Sequence, residues 1–166
     1  KIRMKKLYLL LSIITIGGVV NAQDPQVLFS KALSFQQTND IDSALAILES
    51  ITNDPEAEND QLTLLAKLQI AKIKVKAGKQ AVENIEALHH LVEIATKQEE
   101  WSITAEAYII LGFVNEKNDH HIESKEYLDR AYSLIQQHQL QTLLSKYLVR
   151  RAATFRRFTS YADSII

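Results

Sequence analysis

The feature that most constrains the fold is a recurrence of small residues about every forty positions. Near the middle of four predicted helices, at separations of 39, 41 and 40 residues, lie Ala32, Ala71, Gly112 and Ala152. A second set of small residues follows in the next predicted helix of each pair: Ala44, Ala87, Ser124 and Ser164. Small side chains at fixed places in paired helices let two helices approach closely. A period of this length is typical of a helical solenoid, in which each unit buries its face only against its neighbours.

The composition supports an all-α class. The chain has four Gly and two Pro, which is too few for a β-sandwich or barrel, since those folds need turn residues about every 8–12 positions. The 46% of apolar residues also argues against disorder. Polar breaks predict seven helices over about residues 25–37, 41–52, 60–78, 81–97, 101–117, 122–136 and 141–158, a turn at 159–161, and an eighth helix from about Ala162. We therefore expect a right-handed α-solenoid of antiparallel helix pairs, with about three and a half units.

Residues 1–22 have the three-part pattern of a secretory signal peptide. A basic start (Lys1, Arg3, Lys5 and Lys6) precedes an apolar run at residues 7–20, and the small Ala22 follows. The run is shorter than the ~20 residues that span a bilayer as a helix. An uncleaved anchor or a buried helix is the alternative. The chain has no cysteine, so neither disulfides nor a lipidated cysteine are expected. The pattern predicts export to the periplasm, with residues 23–166 as the mature repeat domain.

The end of the chain also bears on the domain organisation. Solenoids usually close with a polar capping helix that shields the last apolar face. Ile165 and Ile166 are the opposite of such a cap. We therefore predict a domain truncated at its C-terminus, with a frayed natural end as the alternative.

The spacing within the predicted pairs resembles the tetratricopeptide repeat. In the stretch GFVNEKNDHHIESKEYLDRAYSL, Gly112 takes the first small position, Ser124 lies twelve residues on, and Ala131 lies seven beyond that. The second unit departs from the pattern, because Ala71 and Ala87 are sixteen residues apart. The period is nearer 40 than the family's 34, so the longer-helix variants of bacterial signalling regulators are the better comparison. HEAT and armadillo repeats are the structural alternative.

The sequence carries little that suggests catalysis. It has no cysteine nucleophile, no G-x-S-x-G, no phosphate loop and no H-E-x-x-H. Glu86 and His90, four residues apart, would share a metal ion only with a third group, and a solvated helix face is the alternative. We expect no enzyme activity within this chain, no metal and no cofactor.

A peptide-binding groove is the remaining candidate site. The tetratricopeptide resemblance implies that the first helices of successive units line a concave surface, with the candidate lining residues Phe29, Lys72, Lys76, Phe113, Lys146, Arg156 and Arg157. Apolar patches with basic residues would suit an extended or helical peptide that carries acidic groups. The alternative for the basic residues of the last helix is a solvated stripe.

Charge and the resemblance together give the predicted function. Residues 23–138 hold 10 Lys/Arg and 19 Asp/Glu, a net −9, whereas residues 139–166 hold five Lys/Arg and one Asp, a net +4. An acidic body does not suit nucleic acid. We expect a protein or peptide partner, and a membrane contact only through the signal segment or a missing downstream span. The resemblance implies the periplasmic sensor or scaffold part of a longer envelope signalling protein, of the histidine kinase or transcriptional regulator type. A free-standing exported scaffold or adaptor is the alternative.

Overall fold

The polypeptide forms α-helices separated by short turns. The computed structural model describes residues 24–54, 60–78 and 82–163, without the side chains of residues 82 and 157–163. This part of the chain contains seven helices and no strand, which confirms the all-α class. The helices are α1 Pro25–Gln37, α2 Ile41–Thr52, α3 Gln61–Lys76, α4 Val82–Lys97, α5 Trp101–Lys117, α6 His121–Gln137 and α7 Gln141–Asp163.

Aspartates begin the first three helices. The carboxylate of Asp24 accepts a hydrogen bond from the backbone N–H of Gln26 at 2.9 Å, and Pro25 takes the first helical position. Asp40 accepts from the N–H of Ser43 at 3.2 Å. Asp60 accepts from the N–H of Gln61 at 3.0 Å. These carboxylates satisfy N–H groups that the first helical turn leaves unpaired, which is why the sequence predicted the helix starts correctly.

The last helix is longer than predicted. The turn expected at 159–161 and the eighth helix expected from Ala162 are wrong, because α7 runs without a break to Asp163. Serine and threonine cost a helix only about 0.5 kcal/mol each relative to alanine, so Thr159 and Ser160 do not stop it.

Four turns between helices share one backbone geometry. Each contains a residue with a φ between 54° and 64°: Asn39, Glu99, Asp119 and Gln139. The N–H of the next residue reaches back to the carbonyl oxygen five positions earlier, at 2.9 to 3.0 Å, in the pairs Asp40–Phe35, Glu100–Ala95, His120–Asn115 and Leu140–Ile135. This is the Schellman arrangement that closes many helix C-termini. Because the last three of these turns recur every twenty residues, two helices with their turns make up the forty-residue period.

The core consists of three neighbouring clusters rather than one centre. The first core cluster joins α1, α2 and α3. The second core cluster joins α3, α4 and α5, and the third joins α5, α6 and α7. Odd-numbered helices also pack against one another in the order α1, α3, α5 and α7. The odd-numbered helices therefore form a continuous layer.

Helices α5 and α6 approach each other closely at Gly112. A Cβ atom placed on Gly112 would lie 2.9 Å from Cγ of Leu128 and 3.3 Å from the carbonyl oxygen of Ser124. The buried hydroxyl of Ser124 lies 3.4 Å from that of Thr154 on α7. Small residues at positions 112 and 124 therefore leave room for the neighbouring helices.

The other recurring small residues divide into two groups. Four are buried in helix contacts: Ala32, Ala44, Ala71 and Ala131. Ala87 and Ala152 are exposed, so they do not bring helices together as the sequence pattern implied. Leu88 and Leu91 fill the α4 contact instead. Ser164 lies outside the described residues.

Candidate functional site

A row of charged and aromatic side chains crosses the layer of odd-numbered helices. We call it the odd-helix face, and it comprises Lys72 and Lys76 on α3, Glu106, Phe113 and Lys117 on α5, and Lys146 and Arg150 on α7. Spacings of four, seven and eleven residues keep side chains on the same side of a helix. The face holds five cationic side chains and one carboxylate.

Glu106 lies at the centre of the odd-helix face. Its Oε1 accepts a hydrogen bond from Nζ of Lys146 at 2.8 Å and lies 3.1 Å from Nζ of Lys72. The Glu106 side chain is only 14% exposed, whereas the two lysines are 30% and 52% exposed. One carboxylate therefore links three successive odd-numbered helices.

The environment of Glu106 keeps it ionised. Burial alone would raise the pKa of its carboxyl group, but the hydrogen bond from Lys146 and the charge of Lys72 outweigh burial and lower the pKa below the ordinary value of 4.5. Two ammonium groups beside one carboxylate leave one positive charge at neutral pH. The centre of the odd-helix face is therefore cationic.

Phe113 extends the odd-helix face away from Glu106. The guanidinium carbon of Arg150 lies 3.8 Å from the centre of the Phe113 ring, and Nζ of Lys117 lies 5.6 Å from it. Cations at these distances are attracted to the electron-rich face of the ring. The contact holds α5 against α7 and places two more positive charges on the same surface.

The structure brings together only part of the predicted groove. Lys72, Phe113 and Lys146 share the odd-helix face, and Lys76 is exposed at its edge. Phe29 packs against the first core cluster. Arg156 is exposed, but ten residues of helix place it about 80° around α7 from Lys146. The side chain of Arg157 lies outside the described residues.

Sequence reasoning missed Glu106, the residue that organises this face. A lone glutamate on a predicted helix carries no signal of its own. Its distance from Lys146 does, because the two are 40 residues apart, which is one repeat period. A search of the sequence for oppositely charged residues separated by one repeat period would have found this ion pair.

The other sequence candidates give no comparable site. Among the described residues, no three His, Asp or Glu side chains cluster so as to hold a metal ion. His90 instead lines a pocket between α3 and α4. In the same part of the chain, no helix is long and apolar enough to span a membrane.

Comparison with known proteins decides the family. A model of the family described as cohesin loading factor matches residues 20–155, which is most of the chain. The chain belongs to the cohesin loading factor family. No curated protein and no solved structure matches it.

Membership of the cohesin loading factor family corrects the resemblance drawn from the sequence. The matched family is not a tetratricopeptide family, so that assignment is wrong. The physical reason is that small residues twelve positions apart suit any close helical hairpin. Such spacing indicates paired helices without specifying the family.

The cohesin loading factor match also corrects the predicted function and location. The interpretation as a periplasmic sensor or exported scaffold in signal transduction is wrong, because a factor that loads cohesin is a chromosomal protein. The basic start and apolar run at residues 1–22 lie outside the described residues. The domain boundary after residue 22 therefore stays a prediction.

Proposed function

We propose that this chain is a non-catalytic, protein-binding component of cohesin loading, and that the odd-helix face is the surface that holds its partner. The family match is the observation that carries the role in cohesin loading. The ion pairs at Glu106 support the choice of surface, since they hold three helices in a fixed relative position. Preorganised charges of this kind favour binding, because less side-chain freedom is lost when the partner arrives.

The proposed architecture is a right-handed solenoid of helix pairs, α1–α2, α3–α4 and α5–α6, followed by α7. Its support is the packing order, in which each core cluster joins only successive helices. In such an array the layer of odd-numbered helices forms one continuous surface, long enough for an extended or helical segment.

The charge of the odd-helix face favours an acidic partner segment. Five of the seven residues that define the face are cationic and Glu106 is the one carboxylate among them, while residues 23–138 as a whole carry a net −9. A positive surface on an acidic chain directs acidic partners to that surface. Nucleic acid is less suitable, because the surrounding acidic residues repel phosphates.

The proposal is tested by affinity purification from the organism that encodes the chain. We expect tagged wild-type protein to enrich cohesin subunits, identified by mass spectrometry, over an untagged control. The double variant Lys76→Glu/Lys117→Glu should lose at least tenfold of this enrichment, because it reverses two exposed charges of the odd-helix face and leaves the Glu106 ion pairs intact.

A matched control separates this face from the overall charge. Lys97→Glu/Lys125→Glu changes the net charge equally but lies on α4 and α6, where each lysine forms an exposed ion pair. This control should retain the cohesin subunits. Absence of cohesin subunits from the wild-type sample would overturn the proposed role, and equal loss in both variants would overturn the proposed surface.

A further inference from the structure

The outer side of α7 presents apolar side chains to solvent. Leu148 is 54% exposed, Val149 is 67% exposed and Phe155 is 68% exposed, and Ser145 and Ala152 beside them are exposed as well. At 100° per residue, all five positions fall within an arc of about 120° around the helix. We call these five residues the α7 stripe. Contiguous apolar patches of this kind mark interaction surfaces, whereas single exposed apolar residues do not.

The α7 stripe is separate from the core and from the odd-helix face. Leu143, Tyr147 and Thr154 form the buried side of α7. Lys146 and Arg150, the α7 residues of the odd-helix face, lie about 120° and 160° around the helix from Ala152. The stripe is therefore a third side of α7, which neither the core nor the proposed partner surface uses.

The α7 stripe repeats the pattern by which α5 receives α6. Forty residues before Ser145, Leu148, Val149 and Ala152 come Ala105, Tyr108, Ile109 and Gly112. These α5 residues face α6, since Leu128 lies against Gly112 and the ring of Tyr127 stacks on that of Tyr108. The stripe therefore suits a packed helix, with the small Ala152 at the point of closest approach.

The α7 stripe also resembles the side of α6 that packs on α5. The residues that α6 buries are Ser124, Leu128, Ala131 and Ile135. The stripe has residues of the same kinds in the same order: Ser145, Leu148, Ala152 and Phe155. Both sets alternate spacings of three and four, which keep side chains on one side of a helix. A surface that carries both halves of one helix contact can pack against its own copy about a two-fold axis.

The charges of α7 are compatible with such a pair. Lys146 is paired with Glu106 of its own chain, and Arg151 with Asp129 at 2.9 Å. Arg156 lies at the edge of the stripe, about 40° from Ala152. Its apolar stem can cover a neighbouring side chain while the guanidinium group stays in water. The stripe itself carries no charge.

We propose that the α7 stripe is a dimer interface, on which α7 of a second copy of this chain packs antiparallel and crosses at Ala152. The second copy takes the place on α7 that α6 takes on α5. The odd-helix faces of both copies stay open, so the dimer presents two of them. This dimer goes beyond the proposed role in cohesin loading and does not depend on it.

The length of the α7 stripe sets the expected affinity. Ten residues of helix extend only about 15 Å, so the interface is smaller than that of most stable dimers. We expect a dissociation constant on the order of 10 µM.

The first test is sedimentation velocity of the full-length product of the gene at about 1 to 200 µM, a range that spans this affinity. The wild type should change from monomer to dimer as its concentration rises. Ala152→Arg places a long cation at the crossing point and should weaken association by about tenfold or more. Ala46→Arg, the same change at an exposed position of α2, is the matched control and should associate as the wild type does. Circular dichroism melting checks that both variants are folded.

A second test locates the contact. The chain has no cysteine, so one introduced cysteine reports on a single position. A disulfide forms only where two Cα atoms come within about 7 Å. Under mild oxidation, Ala152→Cys should give a covalent dimer at least tenfold faster than Ala46→Cys.

Three outcomes would overturn the proposal. The first is a wild type that stays monomeric throughout, as it would if another segment of its own chain covered the α7 stripe. The second is self-association that persists in folded Ala152→Arg, which would place the contact elsewhere, such as at the apolar run of residues 7–20. The third is equal cross-linking of the two cysteine variants, which would exclude a crossing at Ala152.

Discussion

Glu106 shows how one side chain can fix the relative position of several helices. Its carboxylate serves Lys72 and Lys146 together, so removing it would leave two ammonium groups facing each other at a half-buried site. Removing only the carboxylate should lower the free energy of unfolding by more than the whole cluster contributes to it, because the two remaining ammonium groups lose their compensating charge.

The charge of Glu106 gives a prediction about pH. Its pKa is lowered on folding, so its stabilising contribution is present above the ordinary value of 4.5 and is lost as the pH falls through the lowered pKa. At neutral pH, Glu106→Gln should reduce the free energy of unfolding by about 1–3 kcal/mol. The difference from the wild type should shrink as the pH falls below 4.5 and disappear once the native carboxyl group is also protonated. Urea unfolding at neutral and at acid pH measures it.

The control for this experiment is Glu93→Gln, which removes a carboxylate that forms one exposed ion pair with Lys97. That change should leave the unfolding midpoint nearly unaffected at either pH. A difference between wild type and Glu106→Gln that persists at acid pH would show that the carboxylate charge is not the source of the stability.

At the residue level, the sequence pointed to several cationic and aromatic residues of the odd-helix face but not to the side chains that they contact. Lys72, Phe113 and Lys146 were candidates because the resemblance to a tetratricopeptide array implied that the first helices of successive units line a groove. Glu106 and the contact of Arg150 with Phe113 were not, since both depend on which helices lie side by side. Ala87 was expected in a helix contact but is exposed, because Leu88 and Leu91 form the buried side of α4.

The packing of α5 against α6 depends on Gly112. This residue has no side chain at the point of α5 where Leu128 of α6 lies against the backbone. Overpacking should cost about 1–3 kcal/mol here, because an added Cβ would lie 2.9 Å from Cγ of Leu128, and the higher helix propensity of alanine returns about 1 kcal/mol of it. We therefore expect Gly112→Ala to destabilise the protein by up to about 2 kcal/mol. Urea unfolding monitored by circular dichroism measures the change.

An exposed position on the same helix serves as the comparison. Ser102→Ala should leave stability unchanged or raise it slightly, because no neighbouring helix is displaced. If Gly112→Ala proved as stable as the wild type, α5 and α6 would not approach each other at this point.

Helix starts could be predicted from the sequence, and one helix end could not. The first three helices begin after Asp24, Asp40 and Asp60, whose carboxylates accept hydrogen bonds from N–H groups of the first helical turn. The ends of four helices depend on backbone closure at a positive φ, and glutamate and glutamine take that conformation at two of them. Residue type alone therefore did not separate a true turn at Gln139 from the continuous helix at residues 159–161.

On the scale of the whole molecule, the three core clusters should unfold unevenly. Leu48 is 1% exposed and belongs to the first core cluster alone. Leu48→Ala should remove about 2–5 kcal/mol of local stability. In an array held by nearest-neighbour contacts, that loss should raise amide hydrogen exchange in α1 and α2 and leave α5 and α6 protected. Exchange followed by mass spectrometry on the full chain distinguishes the two regions.

The mirror variant is Ile135→Ala in the third core cluster, which should raise exchange in α6 and α7 and spare α1 and α2. If either change raised exchange equally from α1 to α7, the chain would unfold as one cooperative unit and the nearest-neighbour description would be wrong.

The all-helical class could be predicted because its signal is local. Small residues and polar breaks recur at a fixed interval, and helices with short turns follow from them. The family could not be predicted in this way, since positions such as Gly112 and Ser124 meet requirements common to all close helix pairs. The family assignment rests on a match along most of the chain.

The turns with positive φ have a consequence for how this chain changes over time. They are closed by main-chain hydrogen bonds, and asparagine, glutamate, aspartate and glutamine all occur at their centres. Substitutions among such residues should accumulate with little effect, whereas a β-branched residue would be strained at this φ. An inserted residue within a helix is different, because it rotates everything beyond it by about 100°. Between positions 106 and 146, such an insertion would carry Lys146 away from its carboxylate. We therefore expect the residues of the turns to vary among related chains, while the lengths of the helices stay constant.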